Sequence, residues 1–446
     1  MKFTVAHLGG TGRAATGVPN ELASQREASP PFGRWSHRDI MKFIVAQIGA
    51  RRGYAVPAIL EQAGMLECFY TDLCADAGLG RWLVRAGKFP LVNSRAARLA
   101  GRRLPESIRR KTVSFGWPGV AGGLLSATAG RDPQERFRAS LRAADVLGAS
   151  MTRRGFGAAT HVYSMLGEGA RFVDAARAHG LKIVTEIYIL LSAERLLVEE
   201  RRAFPEWEDC VPQFTSLRRE FGFDDLPVAP GDFAICPSEA VRDDLVNHWG
   251  VQANHCAVVP YGMNPELLNV RPEPVRGRVL FAGTADLRKG IHYFAMAAEK
   301  VSGLGKGFEF RVAGNVQPRV LQQPVCRHLN FLGRIPRAEM AREFAAADVF
   351  VLPSLAEGSA EVTYEALACG LPVITTKASG SVVRDGIEGR IVPECDPVAL
   401  AEAIREVVED REKRDRMAHA ARERARDYTW ERYGERLVTA LQGLPV

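Results

Sequence analysis

Short apolar runs alternate with amphipathic stretches along most of this chain. Lys42–Ile48, Ala159–Met165 and Leu181–Thr185 read as strands. Between and after them, Val56–Ala63 and Phe172–His179 carry helical spacing. Pro57 falls in the first turn of the former, and Gly180 ends the latter. The alternation resumes beyond the Pro-bearing stretch Asn269–Arg278. Val279–Ala282, Phe308–Val312 and Pro372–Thr375 read as strands, and Val349–Leu352 as a buried strand with a continuous apolar run. Helices are expected from Lys289 onward and over Ala338–Ala346 and Val362–Ala368. Asp396-Pro397 is an N-cap followed by proline at the first helical position. Strands alternating with helices predict parallel sheets covered on both faces, an α/β architecture.

With 446 residues the chain is too long for one core, so two doubly wound Rossmann-like domains are expected, meeting near residues 262–277. The opening is anomalous. Met1-Lys-Phe-Thr-Val-Ala-His7 resembles Met41-Lys-Phe-Ile-Val-Ala-Gln47, and the intervening Pro19–His37 is polar and proline-bearing. Residues 1–40 are therefore expected to be a disordered extension, with the folded protein starting at Met41. Gly10-Thr-Gly-Arg-Ala-Ala15 fits a dinucleotide fingerprint. Gly17, Pro19 and Pro30-Pro31 leave no room for the helix that must follow it.

Composition excludes several classes. The chain is 46% hydrophobic and 25% charged, as soluble globular proteins are. No apolar run reaches the ~18 residues of a membrane span, and no signal-peptide pattern opens the chain. The eight cysteines form no CxxC pair, and no HExxH occurs, so neither a metal site nor a disulfide scaffold is expected. A reducing, cytoplasmic setting suits them.

The net charge of +7 is concentrated. Between Gly80 and Thr112 ten Lys or Arg face one acid, Glu106, and Trp82, Leu83, Val84, Phe89, Leu91 and Val92 interleave with them. Such a stretch is a solvated helix face, or a surface for anionic lipid on the inner face of a membrane. Nucleic acid as a partner would rest on this stretch alone and is not expected.

The densest chemistry lies at Ala356-Glu-Gly-Ser-Ala-Glu-Val-Thr-Tyr-Glu-Ala-Leu-Ala-Cys-Gly-Leu-Pro-Val-Ile-Thr375. Glu357 falls in the loop after a strand, and Glu365 on the helix that follows. Ligands of doubly wound sheets sit at the C-terminal ends of strands, so both carboxylates could point into one crevice. Carboxylates accept from sugar hydroxyls. The helix start beside Gly358, Ser359 and Ala360 is expected to offer free amides to a diphosphate. Taken alone, two such glutamates and one lysine could equally be solvated surface residues.

This segment resembles the E-x7-E motif of the family 4 retaining glycosyltransferases (glycosyltransferase group 1), which have the GT-B fold. Phe281-Ala-Gly-Thr-Ala-Asp-Leu-Arg-Lys-Gly290, Cys236-Pro-Ser-Glu-Ala-Val-Arg242 and Val259-Pro-Tyr-Gly262 resemble that family as well. The likeness covers residues 41–446, strongly from about residue 235. It implies an N-terminal acceptor-side domain over 41–265, joined by a final helix over 430–446. It implies a nucleotide-sugar domain over 266–429. By the same resemblance Glu365 binds the donor ribose, Glu357 contacts the donor sugar and supports the reaction, and Lys289, six residues after Gly283, binds the phosphates. The donor expected is a UDP- or GDP-sugar, with no permanently bound cofactor and no metal. The acceptor expected is a glycan, a lipid-linked molecule or a small molecule.

The sequence departs from the family at three places. Thr284 follows Gly283 where the family commonly has arginine, and Arg288 is the candidate to supply that charge. Ala360 stands where glycine is common, so backbone would approach phosphate less closely. His161-Val-Tyr-Ser164 approaches an H-x-H-S motif with Tyr163 in place of the second histidine. His161 is the candidate catalytic or sugar-contacting residue there, or else an ordinary strand histidine. The Gly49-Ala-Arg-Arg-Gly53 loop either admits substrate or simply turns the chain, and Glu186 is a cleft candidate by its place at a strand end. The rival readings are another enzyme on this fold, such as an epimerase, and a nucleotide-sugar-binding protein that has lost turnover.

Overall fold

The computed structural model describes residues 41–86, 99–121, 130, 132–209, 228–303 and 307–444. The expected extension over 1–40, with its glycine fingerprint, lies outside them.

Two parallel sheets organise the chain. The first takes β1 (Phe43–Ala46), β2 (Leu66–Thr71), β3 (Thr112–Ser114), β4 (His161–Met165), β5 (Lys182–Glu186), β6 (Phe233–Cys236) and β7 (Cys256–Val258). Their spatial order is β3-β2-β1-β4-β5-β6-β7. Helices α1 (Ala55–Gln62), α2 (Gly78–Ala86), α3 (Pro133–Arg154), α4 (Ala170–Ala178), α5 (Ala193–Ala203) and α6 (Glu239–Trp249) connect them. The second sheet holds β8 (Arg278–Ala282), β9 (Glu309–Ala313), β10 (Leu329–Gly333), β11 (Val349–Leu352), β12 (Val373–Thr375) and β13 (Gly389–Ile391), in the order β10-β9-β8-β11-β12-β13. Its helices are α7 (Ile291–Ser302), α8 (Arg337–Ala346), α9 (Glu361–Ala368), α10 (Pro397–Glu409) and α11 (Arg411–Arg426), followed by α12 (Trp430–Gln442). All pairings are parallel, and each sheet reverses its winding once, between β1 and β4 and between β8 and β11. Those reversals open crevices at the C-terminal strand ends, where ligands of such sheets bind.

The strands are apolar because helices cover both faces. Phe43, Ile44 and Val45 are buried in β1, as are Val349, Phe350, Val351 and Leu352 in β11. Asp396 accepts from the amides of Val398 and Ala399, capping α10 as its sequence foretells.

The chain crosses between the halves twice, and the crossings pair. Met263 N–H donates to Tyr428 O at 2.8 Å, and Met263 bridges Thr429. After the second crossing α12 packs back on the first half. Tyr433, Leu437 and Leu441 join Phe43, Tyr54 and Phe69 in one buried cluster. In the other direction, α5 and the residues after it reach onto the second half. Glu200 accepts from His292 Nε2 at 2.6 Å and Tyr293 O–H at 2.7 Å, and Glu208 accepts from Leu287 N–H at 2.9 Å. No helix among the described residues is long and apolar enough to cross a membrane.

Candidate functional site in the interdomain cleft

The loop after β8 is shaped by two local devices. Asp286 accepts from Lys289 N–H at 2.9 Å, capping the single turn Leu287–Lys289. Gly290 then turns left-handed at φ 72°, where a Cβ would stand 2.0 Å from Pro353 O. Only glycine fits this approach, which seats Arg288 and Lys289 against the loop that follows β11. Arg288 Nη1 lies 2.7 Å and Lys289 Nζ 2.5 Å from Glu357 Oε1, and Arg288 Nη1 also donates to Ala356 O at 3.1 Å. Burial opposes the Glu357 charge, but the two cations outweigh it and hold the carboxyl below its usual range.

Glu365 lies on α9, one turn after Glu361, and no hydrogen bond to its carboxylate is found among the described residues. Burial, and then the Glu361 carboxylate one turn earlier, push its pKa up to about 7, with Arg337 pulling the other way. Ser359 Oγ donates to Gly380 O at 2.8 Å and lies 2.8 Å from Tyr364 Oη. Ala360 N–H donates to Ser379 O at 3.0 Å. The expectation of a free amide at Ala360 is therefore corrected: the loop before β13 already occupies it. Glu361 and Val362 carry the leading donors of α9. Gly283 ends β8 at φ 141° with the Lys289 side chain packed over it, and Thr284 beside it is half-buried. Gly283, Arg288, Lys289 and Glu357 are thus brought together by direct contact, with Thr284 beside Gly283, and with Gly358, Ser359, Ala360 and Glu365 following Glu357 along the chain.

His161 does not join them. It opens β4, in register with Phe43 and Lys182 at the starts of β1 and β5. The cleft lies at the opposite strand ends, where Glu186 closes β5. The imidazole packs on the Phe43 ring at 4.8 Å and lies 2.7 Å from Thr160 Oγ1. Burial, with Lys182 nearby, lowers its pKa to about 4. The expectation of a catalytic or sugar-contacting His161 is corrected on this ground: a residue at a strand's N-terminal end cannot reach a site at its C-terminal end.

The facing rim comes from the Gly49–Gly53 loop, whose charged residues the sequence does not rank. Arg52, Gly53 and Tyr54 are all left-handed, with φ of 47°, 63° and 65°. For the two side-chain-bearing residues that conformation costs roughly 1–2 kcal/mol each. Arg51 pairs with Glu168 at 2.7 Å, and Glu168 also accepts from Ile48 N–H at 2.7 Å. Burial, opposed by Arg51, raises the Glu168 pKa to about 7. Arg52 pairs with Glu186 at 2.6 Å and, across the cleft, with Glu361 at 3.0 Å. Its guanidinium stacks 3.6 Å over the Tyr261 ring. Glu186 further accepts from Tyr163 O–H at 2.7 Å and Tyr261 O–H at 3.1 Å. Burial resists its charge, yet Arg52 and both phenols keep its pKa lowered.

Two parallel doubly wound sheets, with cations and a motif carboxylate gathered between their C-terminal edges, define a GT-B protein. Residues 272–424 match the family model described as glycosyl transferases group 1. It is 31% identical over 188 residues to a D-inositol 3-phosphate glycosyltransferase of Corynebacterium urealyticum, covering 39% of this chain and 44% of the relative. It is 30% identical over 201 residues to a phosphatidyl-myo-inositol mannosyltransferase of Mycobacterium leprae, covering 42% and 54%. The chain thus spans about half the length of the curated relatives it matches. Among solved structures, a sucrose-phosphate synthase from Thermosynechococcus elongatus superposes with a TM-score of 0.62 at 17% identity, covering 91% of this chain and 99% of that one. Anabaena Alr3699/HepE in complex with UDP and glucose superposes at 0.56 and 16% identity, covering 91% and 100%. These structural likenesses establish the fold.

Proposed function

We propose that this protein transfers a sugar from a UDP- or GDP-sugar to a glycan, lipid-linked or small-molecule acceptor, with retention at the anomeric carbon. The observation that supports this reading is Glu357 bracketed by Arg288 and Lys289, with Glu365 eight positions on in the helix that follows. Glu365 accepts from the donor ribose hydroxyls. Lys289, with Arg288, neutralises the diphosphate as it departs, and placing charge where it develops is a large catalytic contribution. Glu357 contacts the donor sugar. The N-terminal half holds the acceptor, and closure excludes water from the bond being broken. UDP is the first nucleotide to try, since the Anabaena protein was crystallised with it.

Calorimetric titration of UDP-sugars and GDP-sugars tests this reading. One of them should bind, and Glu365→Ala should weaken that binding by about tenfold, the loss of one good charge-assisted contact, while the melting temperature holds. The ionised carboxylate is the better acceptor, so wild-type affinity should fall as pH drops through about 7, the Glu365 pKa of the free protein. Affinity that ignores both the substitution and the pH would remove Glu365 from the donor site.

We further propose that the protein works on an anionic membrane surface. Trp82 on α2 and Trp117 in the short helix 116–121 are 65% and 74% exposed. The two helices touch, for a Cβ on Gly116 would stand 2.8 Å from Leu79 Cβ. Arg81, Arg85, Arg103, Arg109 and Arg110 are exposed on the same region. Tryptophans flanked by arginines suit a headgroup layer. Replacing both tryptophans with serine should cut binding to phosphatidylglycerol-containing vesicles by about tenfold. Equal sedimentation of variant and wild type with those vesicles would reject the membrane reading.

A further inference from the structure

Arg52 is anchored entirely within the first half and the crossing segment, yet it also reaches the second half. Its Nη1 holds Glu186, which is 1% exposed, and its plane lies on Tyr261, whose hydroxyl donates to the same carboxylate. Tyr163 completes that set. These contacts would fix the guanidinium with no help from the second half. Its Nε is nevertheless turned on Glu361, 309 residues away in sequence and 40% exposed. The left-handed backbone at Arg52 and Tyr54 is what aims the side chain across the cleft. Such strain persists where surrounding structure overdetermines it and where it serves a function.

Glu361 opens α9, one helical turn before Glu365 on the same face. A guanidinium presents its donors in a planar fork and can serve two carboxylates at once, which an ammonium on a lysine stem does poorly. We propose that Arg52 is an interdomain positioning residue: by bridging Glu186 to Glu361 it holds α9, and with it Glu365, against the first half, so that the donor site is complete only when the cleft is closed. Occupancy of the donor site and closure then favour each other, because both depend on where α9 stands. The donor-site part of this inference rests on the reading proposed above; the bridge itself does not.

The test uses the full chain and two substitutions that spare the buried carboxylate. Glu361→Lys changes a half-exposed side chain and sets two cations against each other. Arg52→Lys keeps a charge beside Glu186 but loses the fork. Small-angle scattering without ligand should give a larger radius of gyration for Glu361→Lys than for wild type, with unchanged circular dichroism. UDP affinity should fall roughly fivefold in each variant, the range of a partly exposed ion pair. Combined with Glu361→Gln, Arg52→Lys should show little additional loss, since both remove one interaction. In turnover the donor KM should rise more than kcat falls. A radius of gyration unchanged in Glu361→Lys, or strictly additive losses in the double variant, would overturn the bridge and leave Arg52 as a structural partner of Glu186 alone. If wild type binds neither UDP nor GDP, the nucleotide-sugar reading fails by itself, and scattering still decides the bridge.

Discussion

Replacing Lys289 with alanine should lower kcat about 100- to 1000-fold while leaving the fold intact, the cost seen when a preorganised charge-stabilising group is removed from a transition state. The prediction follows from where the ammonium stands. Asp286 caps the turn that presents it, and Gly290 lets that turn sit against Pro353. Its Nζ then meets Glu357 at the mouth of the cleft. The substitution leaves Glu357 paired with Arg288, so no buried carboxylate is stranded and the melting temperature should shift little. Steady-state kinetics with the donor varied separates two roles. A fall in kcat and kcat/KM together means that Lys289 acts on the departing diphosphate. A rise in KM at constant kcat would mean that it only holds the ground state, and would refute the catalytic role.

The parts of this site that sequence could reveal are the local ones. Gly283 through Gly290 forms one strand-turn-helix unit, and Glu357 through Glu365 forms another, so short-range spacing places their side chains. The buried strands β1 and β11 announce themselves as continuous apolar runs because helices cover both faces. Strands β3, β7 and β13 span three residues each and are too short to show any period. Leu66–Thr71 hides for another reason: Glu67 and Thr71 interrupt its apolar pattern. The His161 error has the same root as the successes. His161-Val-Tyr-Ser164 looks like a local motif, but whether it reaches the cleft depends on strand direction, and His161 stands at the start of β4. Glu186 was legible as a strand-end residue, whereas its partners Arg52, Tyr163 and Tyr261 come from three other segments. The Arg52–Glu361 contact joins the two sheets, and no periodicity or spacing in one chain encodes a pairing across 309 positions.

Gly358→Ala should reduce kcat/KM about 100-fold without unfolding either half, because it wedges the cleft at the donor rim. Gly358 makes the closest approach between the halves in this loop. A Cβ there would stand 2.0 Å from Tyr188 O and 2.9 Å from Ile189 N, both backbone atoms that cannot swing aside. The Gly358 carbonyl accepts from Ser238 Oγ at 2.5 Å, and Ala356 packs into the apolar cluster of Leu166, Ile187 and Leu190. The loop bearing Glu357 is thus pinned to the first half on both sides of the glycine. One methyl group must push the two sheets apart or displace Glu357 from Arg288 and Lys289. A displacement of about 1 Å at the reacting groups suffices for a loss of that size. The glycine is needed for space rather than for an unusual φ, so the variant should fold, and its melting temperature should report only the lost interdomain contacts. If kcat/KM stays within twofold of wild type, the closed approach of Gly358 to Tyr188 is not the arrangement in which the enzyme turns over. Catalysis would then have to proceed with the cleft more open, and the water that closure is proposed to exclude should appear as donor hydrolysis in the wild type.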